Sequence, residues 1–381
     1  MHRQAGHPPT GKARLVLLGC LTALSVTSCG DREQLVARPE ASAPGEIRSV
    51  FVGSTRAIDP ATRLFTRDRG TLLALARYDI SVPPRREPGR VSRPRPGEMG
   101  NPDRHFLVEN ARLYPDDRAF RSEIGSLLRH DPHGEAVVFV HGFNNTFADS
   151  LLRFAQLGAD IDLPGVAVHY AWPSAGSPLA YARDRDSALL ARDGLETLLR
   201  AIEAAGARRT IVVAHSMGAQ LLMETLRQMA ISAGSAGLPP QLAVILISPD
   251  IDVEVFRSQA RRIGRLPHPF LIFASDRDRT LRLSAFITGE QARLGSQVDL
   301  DTLSDLDVTV IDVSAFSDAE PHFAPATSPL LLQMLGRVAE IDAALEDERA
   351  RIGLVPGTVL TLQRATQVVL SPMAAIADQA R

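Results

Sequence analysis

Cysteine is almost absent from this chain of 381 residues, which has only Cys20 and Cys29. The chain after residue 29 therefore has no disulfide and no thiolate metal site. An excess of one charge is also lacking: the formal net charge is −2, so we expect no nucleic-acid partner. Aromatic residues are few, but 45% of the chain is hydrophobic and 23% is charged, which indicates a globular protein rather than a disordered one.

The N-terminal segment contains an apolar run of 13 residues, LVLLGCLTALSVT. This run is too short to cross a bilayer as a helix, but it suits the core of a signal peptide. The residues before it include Arg3, Lys12 and Arg14 and no acidic residue. We therefore predict a signal peptide over residues 1–28.

The run ends in VTSCG, which resembles a bacterial lipobox with Val26 in place of the usual leucine. The resemblance implies that Cys29 is lipidated and becomes the first residue of the mature protein. An ordinary cleaved signal peptide is the alternative. Gly30 favours the periplasmic side of the outer membrane over the inner membrane, so we expect a lipid-anchored protein of the bacterial cell envelope. Residues 29–45 are predicted to be a flexible tether.

From residue 136 onward, apolar strand-like runs alternate with amphipathic helical stretches. This alternation is typical of a mostly parallel central sheet with helices on both faces, an α/β fold. Active sites in such sheets lie at the carboxyl ends of the strands. The segment 83–102 is rich in proline and arginine and is predicted to be a loop. We expect residues 341–381 to form a C-terminal helical extension.

One such strand end, IVVAHSMGAQ, places Ser216 between small residues. It looks like the nucleophile elbow of an α/β hydrolase, G-x-S-x-G, with Ala214 at the first glycine position and Gly218 at the second. The elbow is a strained turn that needs small neighbours, and alanine adds only one methyl group. Ser216 is therefore a candidate nucleophile; the alternative is a serine that caps the following helix.

A serine nucleophile needs a base and a group that orients the base. Two strand ends offer a carboxylate for the orienting role. LIFASDRDRTL contains Asp276 and Asp278, and LISPDID contains Asp250 and Asp252. Asp278 best matches the turn that usually carries the acid, and the other three remain alternatives. Asp252 also suits the N-cap of a helix.

The base is predicted to be His322, because it is the only histidine after Asp278. The order serine, acid, histidine is the one that α/β hydrolases use. The separations along the chain leave room for the intervening helices.

Together these segments resemble a bacterial α/β-hydrolase family of largely unassigned function, over residues 46–340. The segments that carry the resemblance are FVHGFNNTF, HYAWPS, VVAHSMGAQLLMETL, SPDIDVEVF, SDRDRTLRLS and the HF after the last strand. The resemblance implies an α/β-hydrolase fold and a triad of Ser216, Asp278 and His322. It does not imply a substrate.

The resemblance also implies an oxyanion hole formed by the backbone N–H groups of Phe143 and Met217. Gly142 and Gly218 would support the two turns involved. Asn144 and Asn145 are expected to line the pocket or to stabilise the turn. Trp172 is expected to line the pocket, and packing in the core is the alternative.

The predicted function is cleavage of a carboxylic ester by a serine hydrolase, with no metal and no other cofactor. The expected partners are a small-molecule or lipid ester and the membrane that holds the anchor. An acyltransferase or thioesterase acting on envelope lipids is one alternative. A non-catalytic envelope scaffold with a hydrolase fold is the other.

Overall fold

A computed structural model describes residues 31–39, 45–233, 237–239, 241–289, 293–296, 300–314, 357–362 and 365–370. Within them, eleven strands form one sheet. The strands are β1 (Glu46–Ile58), β2 (Phe65–Val82), β3 (Leu107–Leu113), β4 (Glu135–Val140), β5 (Val166–Ala171), β6 (Arg209–His215), β7 (Leu242–Ile247), β8 (Phe270–Ala274), β9 (Thr309–Asp312), β10 (Gly357–Leu362) and β11 (Ala365–Leu370).

The strand order in the sheet is β10-β11-β9-β8-β7-β6-β4-β5-β1-β2-β3. Strands β1, β5, β4, β6, β7, β8, β9 and β11 are parallel to one another, whereas β2, β3 and β10 pair antiparallel. β4, β7 and β8 are buried along their whole length, as the apolar runs predict for strands covered on both faces. The carboxyl ends of the parallel strands share one edge of the sheet, here called the active edge.

The helices connect these strands and cover the sheet. They are α1 (Asp117–His130), α2 (Phe147–Asp160), α3 (Tyr181–Ala204), α4 (Met217–Ala233), α5 (Val253–Ile263), α6 (Arg279–Thr288) and α7 (Leu300–Leu303). Two buried hydrophobic clusters result. The α/β fold predicted from the sequence is confirmed, and residues 83–102 contain no helix or strand.

The C-terminal extension differs from the prediction. Its described residues form β10 and β11, and β11 pairs with β9 at the edge of the sheet, so the expectation of a helical extension is wrong for them. The sequences GTVLTL and ATQVVL are rich in threonine and valine, whose branched side chains favour strands.

The segment predicted as a tether also differs in its described part. Residues 31–39, here called the N-terminal arm, begin with a short 3-10 helix over Asp31–Glu33. They pair with β3, where the N–H of Arg38 donates to the carbonyl of Val108 at 2.9 Å. The Arg38 guanidinium also forms an ion pair with Glu109. The arm is therefore bound to the domain, and flexibility stays a prediction only for the rest of 29–45.

Candidate active site

Ser216 lies at the active edge between the central strand β6 and helix α4. Its φ angle is +53°, in the left-handed region that non-glycine residues rarely adopt. Hydrogen bonds fix the backbone of Ser216 on both sides. Its N–H donates to the carbonyl of Ile247 at 3.0 Å, and its carbonyl accepts from the N–H of Asp250 at 3.2 Å. This sharp strand-to-helix turn is the local geometry of a nucleophile elbow.

Gly218 permits the elbow to pack against the end of β4. A Cβ at this position would lie 2.3 Å from the carbonyl oxygen of His141 and 2.7 Å from that of Val140. Both are backbone atoms, so a side chain here would push the elbow away from the end of β4. Ala214, which departs from the glycine pattern, pairs with Val140 and is fully buried in the core. The core therefore accommodates its methyl group.

The turn at residues 141–145, here called the His-Gly turn, approaches the elbow from the other side. A Cβ on Gly142 would lie 2.9 Å from the Cβ of Ser216. The turn and the nucleophile candidate are therefore in direct contact. The N–H groups of Phe143 and Met217 donate to no described residue in the structure. Two such amides beside a serine can bind an oxyanion.

The His-Gly turn is held by a polar cluster in which Asn145, expected to stabilise the turn or line the pocket, has contacts with Ser174 that the sequence did not predict. The Asn145 side chain donates to the carbonyls of Gly142 and Phe143, at 3.1 and 2.9 Å. The Asn145 N–H donates to the hydroxyl of Ser174 at 3.2 Å, and that hydroxyl donates to Asp184 at 2.6 Å. Burial raises the pKa of Asp184 above its usual value. This chain of bonds ties the turn to the N-terminus of α3.

Arg56, from β1, completes this cluster. Its guanidinium is buried and donates to the carbonyls of Asn145, Ser174 and Thr66, at 3.0, 3.1 and 3.2 Å. Desolvation lowers its pKa to about 10, so it remains a cation at neutral pH. A positive charge is thus fixed behind the His-Gly turn.

Asp278 lies at the end of β8 and is completely buried. One carboxylate oxygen accepts hydrogen bonds from the N–H groups of Thr280 and Leu281, both at 3.0 Å. The carboxylate therefore caps α6 and is fixed at the active edge, two strands from Ser216. Asp276, the nearer alternative in sequence, is exposed.

The two aspartates after β7 have other roles in the structure. Asp252 is the N-cap of α5 and accepts from the N–H of Val255 at 3.0 Å, as its alternative interpretation proposed. Asp250 is buried and accepts from the hydroxyls of Tyr181 and Ser284, at 2.9 and 2.7 Å. Its carboxylate also lies 3.3 Å from the Nε of the buried Arg293.

His322, the predicted base, lies outside the described residues, and so does Cys29. Three other described histidines lie near the site: His141, His169 and His215, of which His215 directly precedes Ser216 and lies against Gly142. His141 and His169 are buried, and desolvation lowers their pKa values, that of His169 to about 3. Both are therefore neutral at physiological pH, and both hydrogen bond to backbone carbonyls, His141 to that of Trp172 just after β5 and His169 to that of Phe139 in β4.

Trp172 and Asn144 were predicted at the pocket. Trp172 is fully buried and stacks on His141 with ring centroids 5.0 Å apart, a position that corresponds to the core-packing alternative. Asn144 has a φ angle of +59° and is partly buried, and its side-chain oxygen accepts from Arg32 at 3.1 Å. Its side chain thus helps to hold the turn.

No group of three or more histidine, cysteine or acidic side chains that could hold a metal ion occurs among the described residues. None of the helices in the described ranges is both long enough and apolar enough to cross a membrane.

The fold and the elbow define an α/β hydrolase. The model of one family, described as "Alpha/beta hydrolase of unknown function", matches residues 116–336, which is more than half of the chain. The chain belongs to this family. The match includes the His-Gly turn, the elbow, Asp278 and His322.

No curated protein matches the chain. Among solved structures, a "Putative hydrolase" from Agrobacterium vitis S4 has 12% identity and a TM-score of 0.32, covering 78% of this chain and 99% of that one. A "Lipase-esterase related protein" from Clostridium acetobutylicum ATCC 824 has 13% identity and a TM-score of 0.24, covering 52% and 81%. These similarities are too low to support a statement about substrate.

Proposed function

We propose that this protein is a serine hydrolase that cleaves a carboxylic ester through an acyl-enzyme. One observation carries the proposal: a buried serine at φ +53° ends the central parallel strand, beside two backbone amides that donate to no described residue. This combination fits a nucleophile whose developing oxyanion has its donors already in place.

In this mechanism the Ser216 hydroxyl attacks the ester carbonyl while His322 accepts the hydroxyl proton. The tetrahedral oxyanion is bound by the N–H groups of Phe143 and Met217. When it collapses, the bond to the alkoxide breaks, and His322 protonates the leaving alcohol. A water molecule, deprotonated by His322, then attacks the acyl carbonyl. The bond to Ser216 Oγ breaks, His322 returns the proton to that oxygen, and the carboxylic acid leaves.

Asp278 would orient the imidazole of His322 and stabilise its protonated form. The geometry supports this role, because the carboxylate is buried and is fixed by two helix N–H groups. Asp250 is a poorer candidate, since its two oxygens already face two hydroxyls and a guanidinium.

We also propose that the enzyme is anchored in the bacterial cell envelope by acyl chains on Cys29. The lipobox-like VTSCG and the preceding apolar run support this location. Several acyl chains would give stable membrane attachment. Incorporation of labelled palmitate that is lost in Cys29→Ala tests the anchor, and no incorporation into the wild type would exclude it.

A fluorophosphonate probe tests the nucleophile. The wild type should be labelled and Ser216→Ala should not be. Ser248→Ala is the matched control, because Ser248 is also buried, also has a positive φ angle of +43°, and ends the neighbouring strand β7. Labelling that survives in Ser216→Ala, or that is lost equally in Ser248→Ala, would contradict the assignment.

A further inference from the structure

The N-terminal arm is fastened to the catalytic end of the molecule through Arg32. Its guanidinium donates to the carbonyl and the side-chain oxygen of Asn144, at 2.7 and 3.1 Å, and to the carbonyl of Gly176 at 3.4 Å. It also forms an ion pair with Asp149, 2.7 Å away in the first turn of α2. Arg32 thus binds the His-Gly turn directly.

The backbone around Arg32 is held as well. Its carbonyl accepts a hydrogen bond of 2.7 Å from the hydroxyl of Thr146 and one of 3.1 Å from Arg93. The next residue, Glu33, forms an ion pair with Arg67 of β2. These contacts link the arm to three separate parts of the chain: the start of α2, the loop at residues 83–102 and the start of β2.

This attachment point is very close to the proposed acylation site in the sequence. Arg32 lies three residues after Cys29, and three peptide units span at most about 11 Å. The lipid anchor would therefore emerge within about 11 Å of the Cα of Arg32, whose guanidinium contacts the His-Gly turn. A tether that was free up to β1 would leave the orientation of the domain undetermined.

The same edge exposes large apolar side chains. Leu179, in the connection between β5 and α3, is 95% exposed, and Leu64, in the turn between β1 and β2, is 45% exposed. Gly176, in the connection that carries Leu179, has its backbone against Thr146 at the start of α2. Exposed leucines beside an anchor point are suited to contact with a lipid surface.

We propose that the active edge faces the bilayer that holds the anchor, and that the substrate is an acyl ester resident in that bilayer. This inference rests on the proposed acylation of Cys29 and on the proposed ester hydrolysis. It adds an orientation and a substrate class: a lipid whose ester carbonyl reaches Ser216 from the membrane side. Arg32 is the residue that sets the orientation.

The first experiment lengthens the link between anchor and arm without changing the arm. A 20-residue Gly-Ser segment inserted between Gly30 and Asp31 adds a flexible span of about 25 Å. The matched control carries the same insertion between Ser42 and Ala43, beyond the Arg32 attachment. The acylated full-length proteins are placed in phosphatidylcholine–phosphatidylglycerol vesicles. Turnover is measured with a fluorogenic diacylglycerol ester in the bilayer and with p-nitrophenyl butyrate in solution.

We expect the insertion after Gly30 to lower turnover of the bilayer ester about tenfold, because it lowers the effective concentration of the site at the membrane. Turnover of p-nitrophenyl butyrate should be equal in all three proteins. The control insertion should leave both rates unchanged. Bilayer rates that are the same in all three proteins, or that fall equally in both insertion variants, would overturn the inference and leave ester hydrolysis itself intact.

The second experiment does not depend on turnover. Acylation would block the thiol of Cys29, and Cys20 would be removed with the predicted signal peptide. Leu179→Cys would then be the single free thiol, to which an environment-sensitive fluorophore is attached. Doxyl-labelled lipid should quench this probe. The control is Ile231→Cys, which is also exposed, at 46%, but lies 14 residues into α4 from the active edge, about 21 Å along the helix axis.

Quenching at Leu179→Cys without quenching at Ile231→Cys supports the orientation. Equal quenching at both positions, or none at Leu179→Cys in an acylated protein, overturns it. If neither ester is hydrolysed, the proposed function fails, and the quenching result still decides the orientation.

Discussion

The guanidinium of Arg56 donates a hydrogen bond of 3.0 Å to the carbonyl of Asn145, which connects β1 to the His-Gly turn. Every hydrogen bond that the structure gives to this guanidinium goes to a backbone carbonyl. A buried cation held in this way stabilises one conformation of the turn. It also places positive charge behind the proposed oxyanion site, where charge develops during the reaction.

Replacement of Arg56 by methionine should therefore impair catalysis more than substrate binding. The turn would lose its hydrogen bond from Arg56 to Asn145, and the neighbouring carbonyls of Ser174 and Thr66 would lose theirs. The turn would then shift relative to Ser216, so we expect kcat to fall about a hundredfold with little change in KM. Arg56→Lys keeps the charge but not the geometry and should retain intermediate activity. Steady-state kinetics on a soluble ester, with thermal unfolding as the control for folding, measures this. An unchanged kcat in folded Arg56→Met would contradict the proposed role.

Gly218→Ala should disrupt the elbow by direct steric conflict. The added Cβ would lie 2.3 Å from a backbone carbonyl, and we expect a loss of about 1–3 kcal/mol in stability together with a large fall in kcat. Gly158→Ala in α2 is the matched control, since its Cβ would meet nothing nearer than 3.7 Å. That variant should be as active as the wild type and about 0.5–1 kcal/mol more stable. Urea denaturation and ester turnover of both variants decide the point.

Asp278→Asn should abolish most of the activity while preserving the fold. Asparagine is as good a helix cap as aspartate, but it cannot stabilise a protonated imidazole, so kcat should fall about 10³–10⁴-fold. Asp252→Asn makes the same change at another helix cap and should leave kcat within a factor of two or so of wild type. Loss of turnover at Asp252 and not at Asp278 would show that the acid has been assigned wrongly.

Asp250→Asn should lower the free energy of unfolding rather than act directly on catalysis. The buried Arg293 would lose the carboxylate that lies 3.3 Å from its Nε, and removal of one partner from a buried ion pair typically costs about 3–5 kcal/mol. Asp305→Asn is the comparison, because Asp305 pairs with Arg257 and Arg261 at a largely exposed position, where about 1 kcal/mol or less is expected. Chemical denaturation of the two variants gives the difference.

The buried histidines should make the protein less stable in mild acid. The pKa of His169 is lowered to about 3 in the folded state, against about 6.5 in an unfolded chain. Below pH 6.5 the unfolded chain therefore binds more protons, and stability falls as the pH falls. For one such histidine the loss between pH 7 and pH 5 is about 2 kcal/mol. His169→Gln should show a smaller decrease in its urea midpoint over this range, and an identical decrease would refute the attribution.

The parts of the molecule that depend on local patterns could be predicted from sequence. The all-apolar run at Ala136–Val140 and the small residues around Ser216 specify a buried strand and a tight turn, and both occur. The N-cap role of Asp252 also follows from its position before a helical stretch. In each case the residues that determine the structure are neighbours in the chain.

The parts that depend on distant contacts could not be predicted. Arg32 and Asn144 are 112 residues apart, and nothing in either local sequence indicates that they touch. Arg56 stands in a strand that contains other polar residues, so its burial has no local signal. The strands β10 and β11 have a local signal in their threonine and valine content, but the pairing of β11 with β9 joins segments that are distant in the chain.

The left-handed backbone of Ser216 has a consequence for the balance between stability and activity. A serine at φ +53° bears a conformational cost of about 1–2 kcal/mol that glycine would not bear. Ser216→Gly should therefore raise the melting temperature or leave it unchanged, although it removes the proposed nucleophile. Stability alone would favour glycine at this position, so the proposed nucleophile carries a conformational cost that only its proposed catalytic role would offset.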